Sequence, residues 1–119
     1  MKIVADVLVA AVALTHLYIL VLEMFLWRTP RGRAVFDTTP EFADATATMA
    51  GNQGLYNGFL AAGLLWGLIT DHAAFQFKLF FLTCVIIAGL YGAATGVRRA
   101  LFGQSIPAAL AAAAVLIAG

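Results

Sequence analysis

The stretch IVADVLVAAVALTHLYILVLEMFLW, residues Ile3 to Trp27, decides the fold. A helix built from it rises about 1.5 Å per residue and outruns a hydrocarbon core of roughly 30 Å. Three ionisable residues interrupt it: Asp6, His16 and Glu23. A titratable group inside such a helix is costly, so its default reading is a functional site or a buried polar pair facing other helices. The spacing of His16 and Glu23 puts both side chains within roughly 20° on one helix face. These residues establish a membrane protein with an interior polar site, without naming a reaction or a transported species.

Outward from that stretch the pattern repeats. The chain has 119 residues, of which 63% are hydrophobic and 11% charged, far from the usual composition of a soluble domain. Four apolar runs stand out: Ile3 to Trp27, Gly51 to Ile69, Ala73 to Val97, and Phe102 to Ala118. The prediction is one all-α transmembrane domain covering 1–119, a four-helix bundle with spans at 3–27, 51–69, 73–97 and 102–118. The first run is not expected to be a cleavable signal, because it is too long, carries Asp6, His16 and Glu23, and leads into no small-residue cleavage site.

Charge sets the expected orientation. Arg28, Arg31 and Arg33 follow the first run, and Arg98 and Arg99 follow the third, whereas the opposite side offers Lys2 and Lys78. The positive-inside rule then places both arginine loops in the cytoplasm and both termini outside. A net charge of +1 argues against a nucleic-acid partner. The single Cys84 excludes an internal disulfide and a redox dithiol.

The one long connection runs from Arg28 to Ala50. Within it, Thr38-Thr39-Pro40-Glu41 combines a threonine cap, a proline suited to a first turn and a glutamate at the positive dipole end. The second long helix is therefore predicted to start near Pro40, with 40–50 as a cytoplasmic extension, and to run unbroken to Ile69. On it Asn52, Gln53, Tyr56 and Asn57 share one arc, while Gly54, Gly58 and Ala62 form a small-residue strip. Gly89, Gly92 and Gly96 form a second strip on the third run. Two packing faces on so small a chain predict a homo-oligomer.

The candidate ligand-binding residues are His16, Glu23, Asn52, Gln53, Tyr56 and Asn57, with the face of Glu23 and His16 expected to meet Asn52 and Tyr56. Four hydrogen-bonding side chains at the cytoplasmic end of a span clasp a polar head group or hold helices together. Arg28, Arg98 and Arg99 are possible anion contacts, although such arginines most often fix topology and meet anionic lipid heads. No metal site is expected, since the only other histidine, His72, falls in a turn on the opposite side. Trp27 and Trp66 sit near span ends, where they read as interfacial anchors.

Three strings, His16-Leu17-Tyr18 through Leu22-Glu23-Met24-Phe25-Leu26-Trp27, Gly51-Asn52-Gln53-Gly54-Leu55-Tyr56-Asn57-Gly58-Phe59-Leu60, and Gly89-Leu90-Tyr91-Gly92-Ala93-Ala94-Thr95, resemble a bacterial family of small membrane proteins known only as domain of unknown function 1304. The likeness covers nearly the whole chain and implies a multi-pass protein of the bacterial cytoplasmic (inner) membrane. More distantly, Ala50-Gly51-Asn52-Gln53 with Phe59-Leu60-Ala61 and Leu65-Trp66 is similar to the second helix of the MAPEG proteins, the membrane-associated proteins of eicosanoid and glutathione metabolism. That resemblance implies four helices per subunit, a trimer, and a ligand site between subunits near the cytoplasmic leaflet, with Asn52 at the family's second-helix asparagine. Arg98 or Arg99, ahead of Phe102-Gly103, would match a basic position entering the last helix. Leu55 stands where glutathione-using members carry an acid, and Thr83-Cys84-Val85 holds no arginine. Both departures weigh against glutathione, and no cofactor is expected.

Three readings fit these residues: a MAPEG-like protein binding a small amphipathic or anionic ligand, a small proton-coupled exporter using Glu23 and His16, and a non-catalytic structural or accessory subunit. The expected partners are membrane lipid and further copies of the chain, as a trimer or, for the exporter, a dimer. Catalysis is left open.

Overall fold

Apolar runs separated by capping signals leave the backbone one economical solution in lipid, hydrogen bonding within helices. The computed structural model, which describes residues 1–119, is all-α and has no strand. Its helices are α1 (Lys2–Met24), α2 (Pro30–Phe36), α3 (Pro40–Ile69), α4 (Ala74–Ala94) and α5 (Ile106–Ala118), the last entered through a π-helical turn at Leu101–Ser105. Three stretches are long and apolar enough to cross a membrane: Lys2–Met24, Ala74–Ala94 and Leu101–Ala118. The remaining expected span, 51–69, is helical as the second part of α3. Asn52, Gln53 and Asn57, with five glycines, keep its apolarity below that of the other three.

Local chemistry explains the helix limits. α2 was not foreseen within the long connection, yet its start is fully capped. Thr29 Oγ1 accepts from Gly32 N at 3.2 Å and donates to Leu26 O at 2.6 Å, and Pro30 occupies the first turn. α2 stops at Asp37, which takes the left-handed conformation at φ 55°. α3 opens on Thr39, whose Oγ1 accepts from Phe42 N at 3.1 Å. The π-helical turn ends two residues before Pro107, a residue with no backbone donor to continue a regular helix. Gly96, after α4, holds φ 111°, a conformation that side-chain-bearing residues rarely adopt.

The chain divides into two compact units, 1–14 with 60–119, and 15–59. The core of the first consists of Ala5, Val9, Val12 and Ala13 on α1, Leu64 on α3, Leu82 and Val85 on α4, and Ala108, Ala111, Ala114 and Val115 on α5. Its small residues let backbones approach closely. At Gly89 a Cβ would lie 2.8 Å from both Ala100 O and Ser105 N, so α4 presses directly on the backbone leading into α5. Ser105 Oγ adds a hydrogen bond to Ile86 O at 2.9 Å.

In the second unit, a Cβ at Gly54 would lie 3.1 Å from Glu23 Cβ and 3.3 Å from Leu20 O, and one at Gly58 would lie 2.7 Å from Leu20 Cδ1. Gly92 is similarly filled by Ala100 within the first unit. Gly54, Gly58, Gly89 and Gly92 therefore serve close packing inside the chain, whereas Ala62 is exposed and a Cβ at Gly96 would meet nothing.

Candidate functional site

The site is built on the last turn of α1 and the middle of α3. Glu23 and Asn57 are both buried, 8% and 7% exposed. Gly54 makes this possible: without a side chain, it lets α3 rest against the Glu23 stem. Asn57 Nδ2 then donates to Glu23 Oε1 at 2.6 Å and also to Gln53 O at 3.2 Å. His16, two turns earlier on the same face of α1, is fully buried.

After Met24 the chain leaves α1 and turns. Phe25 and Leu26 both donate to Val21 O, at 3.0 and 3.1 Å, and the Thr29 cap closes the turn. Gly32 lets α2 fold back on this turn, since a Cβ there would lie 2.0 Å from Leu26 O. Trp27 is held by Nε1 donating to Thr46 Oγ1 at 3.2 Å and by Phe36, 5.0 Å away between ring centroids. Arg28 Nε lies 3.2 Å from Asp44 Oδ1. Arg31 donates to the Tyr18 hydroxyl and sits over its ring at 5.5 Å.

These contacts border an open groove of about 360 Å³, lined by Glu23, Met24, Phe25, Trp27, Arg28, Thr29, Ala47 and Thr48. Its lining is mixed, with Glu23, Arg28, Thr29 and Thr48 beside Met24, Phe25, Trp27 and Ala47, which suits a small amphipathic molecule whose polar groups fix orientation and whose apolar part finds contact.

Among the residues singled out from sequence, the structure joins Glu23 to Asn57 and places His16 on the same helix face. It does not join Glu23 to Asn52 or Tyr56, the partners expected above. α3 turns Gly54 and Asn57 toward α1, so Asn52, Gln53 and Tyr56 fall on its exposed side. Tyr56 packs edge-on against Phe59 at 5.7 Å, and Gln53 contributes its backbone carbonyl. Arg28 borders the groove while engaged by Asp44. Arg98 and Arg99 are exposed in the first unit.

The sequence reading passed over Trp27, Thr29 and Thr48 as groove residues. A signal did exist for the turn, because Thr29-Pro30 is the same cap signature that located Thr39-Pro40. It also missed the pairing of Lys78 Nζ with Asp6 Oδ1 at 2.8 Å in the first unit, beside a cavity of about 300 Å³. Two residues so far apart in sequence carry no local sign of their contact. No group of His, Cys, Asp and Glu is clustered closely enough to hold a metal ion.

Residues 10–116 match the family described as "Protein of unknown function (DUF1304)". The chain belongs to this family. It is also 30% identical over 113 residues to "Uncharacterized protein YpaA" of Lactococcus lactis subsp. lactis (strain IL1403), an alignment covering 93% of this chain and 95% of the relative. No solved structure matches the chain. Family membership and three membrane-length apolar helices make this a membrane-type protein of an uncharacterised family.

Proposed function

We propose that this DUF1304 protein is a multi-pass protein of the bacterial inner membrane that binds a small amphipathic ligand in the groove at the end of α1. The observation that carries the reading is that Glu23, its carboxylate bonded to Asn57 at 2.6 Å, lines a groove shared by apolar Met24, Phe25, Trp27 and Ala47 and polar Arg28, Thr29 and Thr48. Glu23 fixes the polar end of the ligand, the aromatic and methionine side chains hold its apolar end, and Asn57 supports the carboxylate from behind. α3 crosses the bilayer as a fourth span, with Asn57 shielded by α1. The arginine loops and the groove face the cytoplasm, and both termini face outward. A MAPEG-like trimer is the assembly this topology resembles. It would put Asn52, Gln53 and Tyr56 at a subunit boundary, with Arg98 and Arg99 available to anionic groups.

Removing Trp66 leaves Trp27 as the sole indole, since the chain holds two tryptophans. In a Trp66→Phe protein reconstituted in phosphatidylcholine nanodiscs, 11-bromoundecanol should quench Trp27 saturably, and Thr48→Phe, which fills the groove, should abolish the saturable component. Linear quenching indistinguishable from that of an indole dissolved in lipid would refute the groove as a binding site.

A second reading, proton-coupled export, is favoured by the complete burial of His16 two turns from Glu23 on one helix face. Membrane titratable residues in such an arrangement commonly relay protons. Substrate-driven proton release from the purified protein, lost in Glu23→Gln, would select it over simple binding.

A further inference from the structure

Lys78 is the buried charged residue in the wall of a second cavity, of about 300 Å³, formed by the start of α1, the start of α4 and the end of α5. Its stem is seated on α3, where a Cβ at Gly67 would lie 3.0 Å from Lys78 Cγ and 3.3 Å from Lys78 N. Its ammonium donates to Asp6 Oδ1 at 2.8 Å. That bond occupies one of three N–H groups and one of two carboxylate oxygens, so donors and an acceptor stand side by side at the cavity wall. Stability alone is a poor reason for such a pair, since apolar residues of the same volume commonly do as well. Ionisable groups on membrane helices more often mark a site.

Lys2 is the remaining charged side chain of the lining, and the other residues there are alanine, glycine, valine and phenylalanine. Lys2 is exposed, so solvent and salt weaken its field, and the Asp6–Lys78 pair sets the polarity of the interior. An anionic head seated on Lys78 would stand beside the Asp6 carboxylate, and a cationic head seated on Asp6 would stand beside the ammonium. Either would also lose its own hydration. A neutral hydroxyl meets both partners favourably. The volume lies at the lower end of the roughly 300–1,000 Å³ of small-molecule sites, which excludes a two-chain lipid. We infer that this cavity is a second binding site, for a small neutral amphiphile whose head both donates and accepts a hydrogen bond, as an alcohol does. The head donates to Asp6 and accepts from Lys78, and the tail lies along Phe75 and Val115. Every group involved belongs to the unit 1–14 with 60–119, so the site does not depend on the groove at Glu23.

The test is photolabelling of the unaltered protein in phosphatidylcholine nanodiscs by 3-azioctanol, a diazirine-bearing alkanol, with the labelled residues located by mass spectrometry. Labelling of 74–78 should saturate and be displaced by 1-hexanol. Methyl pentyl ether, which accepts but cannot donate, should need a concentration in the bilayer at least about tenfold higher, the margin of one hydrogen bond to a charged group. Hexanoate and hexyltrimethylammonium should fall at least as far behind. Ala118→Phe, which fills the cavity from an exposed position without touching the ion pair, should abolish the saturable component. Asp6→Asn combined with Lys78→Met should keep the fold and erase the preference for hexanol over the ether. Labelling of 74–78 that rises linearly, or that survives Ala118→Phe undiminished, would overturn the cavity as a binding site. Saturable labelling displaced equally well by the ether, or better by either ion, would overturn the neutral donor–acceptor class.

Discussion

Truncation of Glu23 to alanine removes the acceptor that Asn57 Nδ2 reaches at 2.6 Å. Asn57 keeps its contact to Gln53 O at 3.2 Å and is therefore weakened without being orphaned. A hydrogen bond to a charge-capable group contributes about 1.5–3 kcal/mol in water-soluble proteins. In membrane proteins such couplings average about 0.6 and reach about 1.7 kcal/mol, because the unfolded helices also find partners. Both residues are less than 9% exposed and the bond is short, so the coupling should lie near the upper end, about 1–1.7 kcal/mol. Loss of the buried Glu23 methylene adds about 0.8 kcal/mol to the single variant, outside the coupling. The assay is a double-mutant cycle of Glu23→Ala, Asn57→Ala and the pair, each unfolded by SDS in mixed micelles and followed by far-UV circular dichroism. Glu23→Gln retains an acceptor and should cost less than about half of what Glu23→Ala costs. If the two alanine variants add within about 0.5 kcal/mol, Glu23 and Asn57 are not bonded as described and the site loses its frame.

Gly32→Ala should destabilise by about 1–3 kcal/mol in the same unfolding assay, because its Cβ would stand 2.0 Å from a backbone oxygen that cannot move without opening the Thr29 turn. A stability unchanged by Gly32→Ala would contradict that close approach. Lys78→Met should strand Asp6 and cost about 1–3 kcal/mol, less than a fully buried pair since Asp6 is partly exposed, while Asp6→Asn combined with Lys78→Met should recover most of it. No recovery in the combined variant would show that the lysine stem, not the ion pair, carries the stability. A reporter fused after Gly119 should read as external under the arginine distribution, and cytoplasmic activity of the fusion would reverse the orientation.

The sequence was most informative where the chemistry is local. Thr39 and Pro40 announce the start of α3 because a cap needs only a hydroxyl and a backbone N–H a few residues away. The same logic at Thr29 and Pro30 marks α2, a helix overlooked because its seven residues carry no apolar period. Glu23 and His16 were recognisable as a polar site because helical geometry alone aligns them. The partner of Glu23 was not recognisable. Asn52, Gln53, Tyr56 and Asn57 all offer hydrogen bonds, and the choice among them turns on which side of α3 meets α1. The glycine strip makes that choice by seating Gly54 and Gly58 against Leu20 and Glu23, and so brings in Asn57, three residues from Gly54 on the same side.

What the sequence alone determined is the solvent and the secondary structure: helices of membrane length, their caps, and buried titratable groups, all set by hydropathy and by contacts within a turn. Tertiary structure alone decided which groups those residues meet. The Glu23–Asn57 bond, the Asp6–Lys78 pair and the groove bordered by Trp27 and Thr48 each join positions distant in sequence. The rotation of one helix about its axis chooses among such partners, and that angle is set by backbone packing at Gly54, Gly58 and Gly32, beyond the reach of any local pattern.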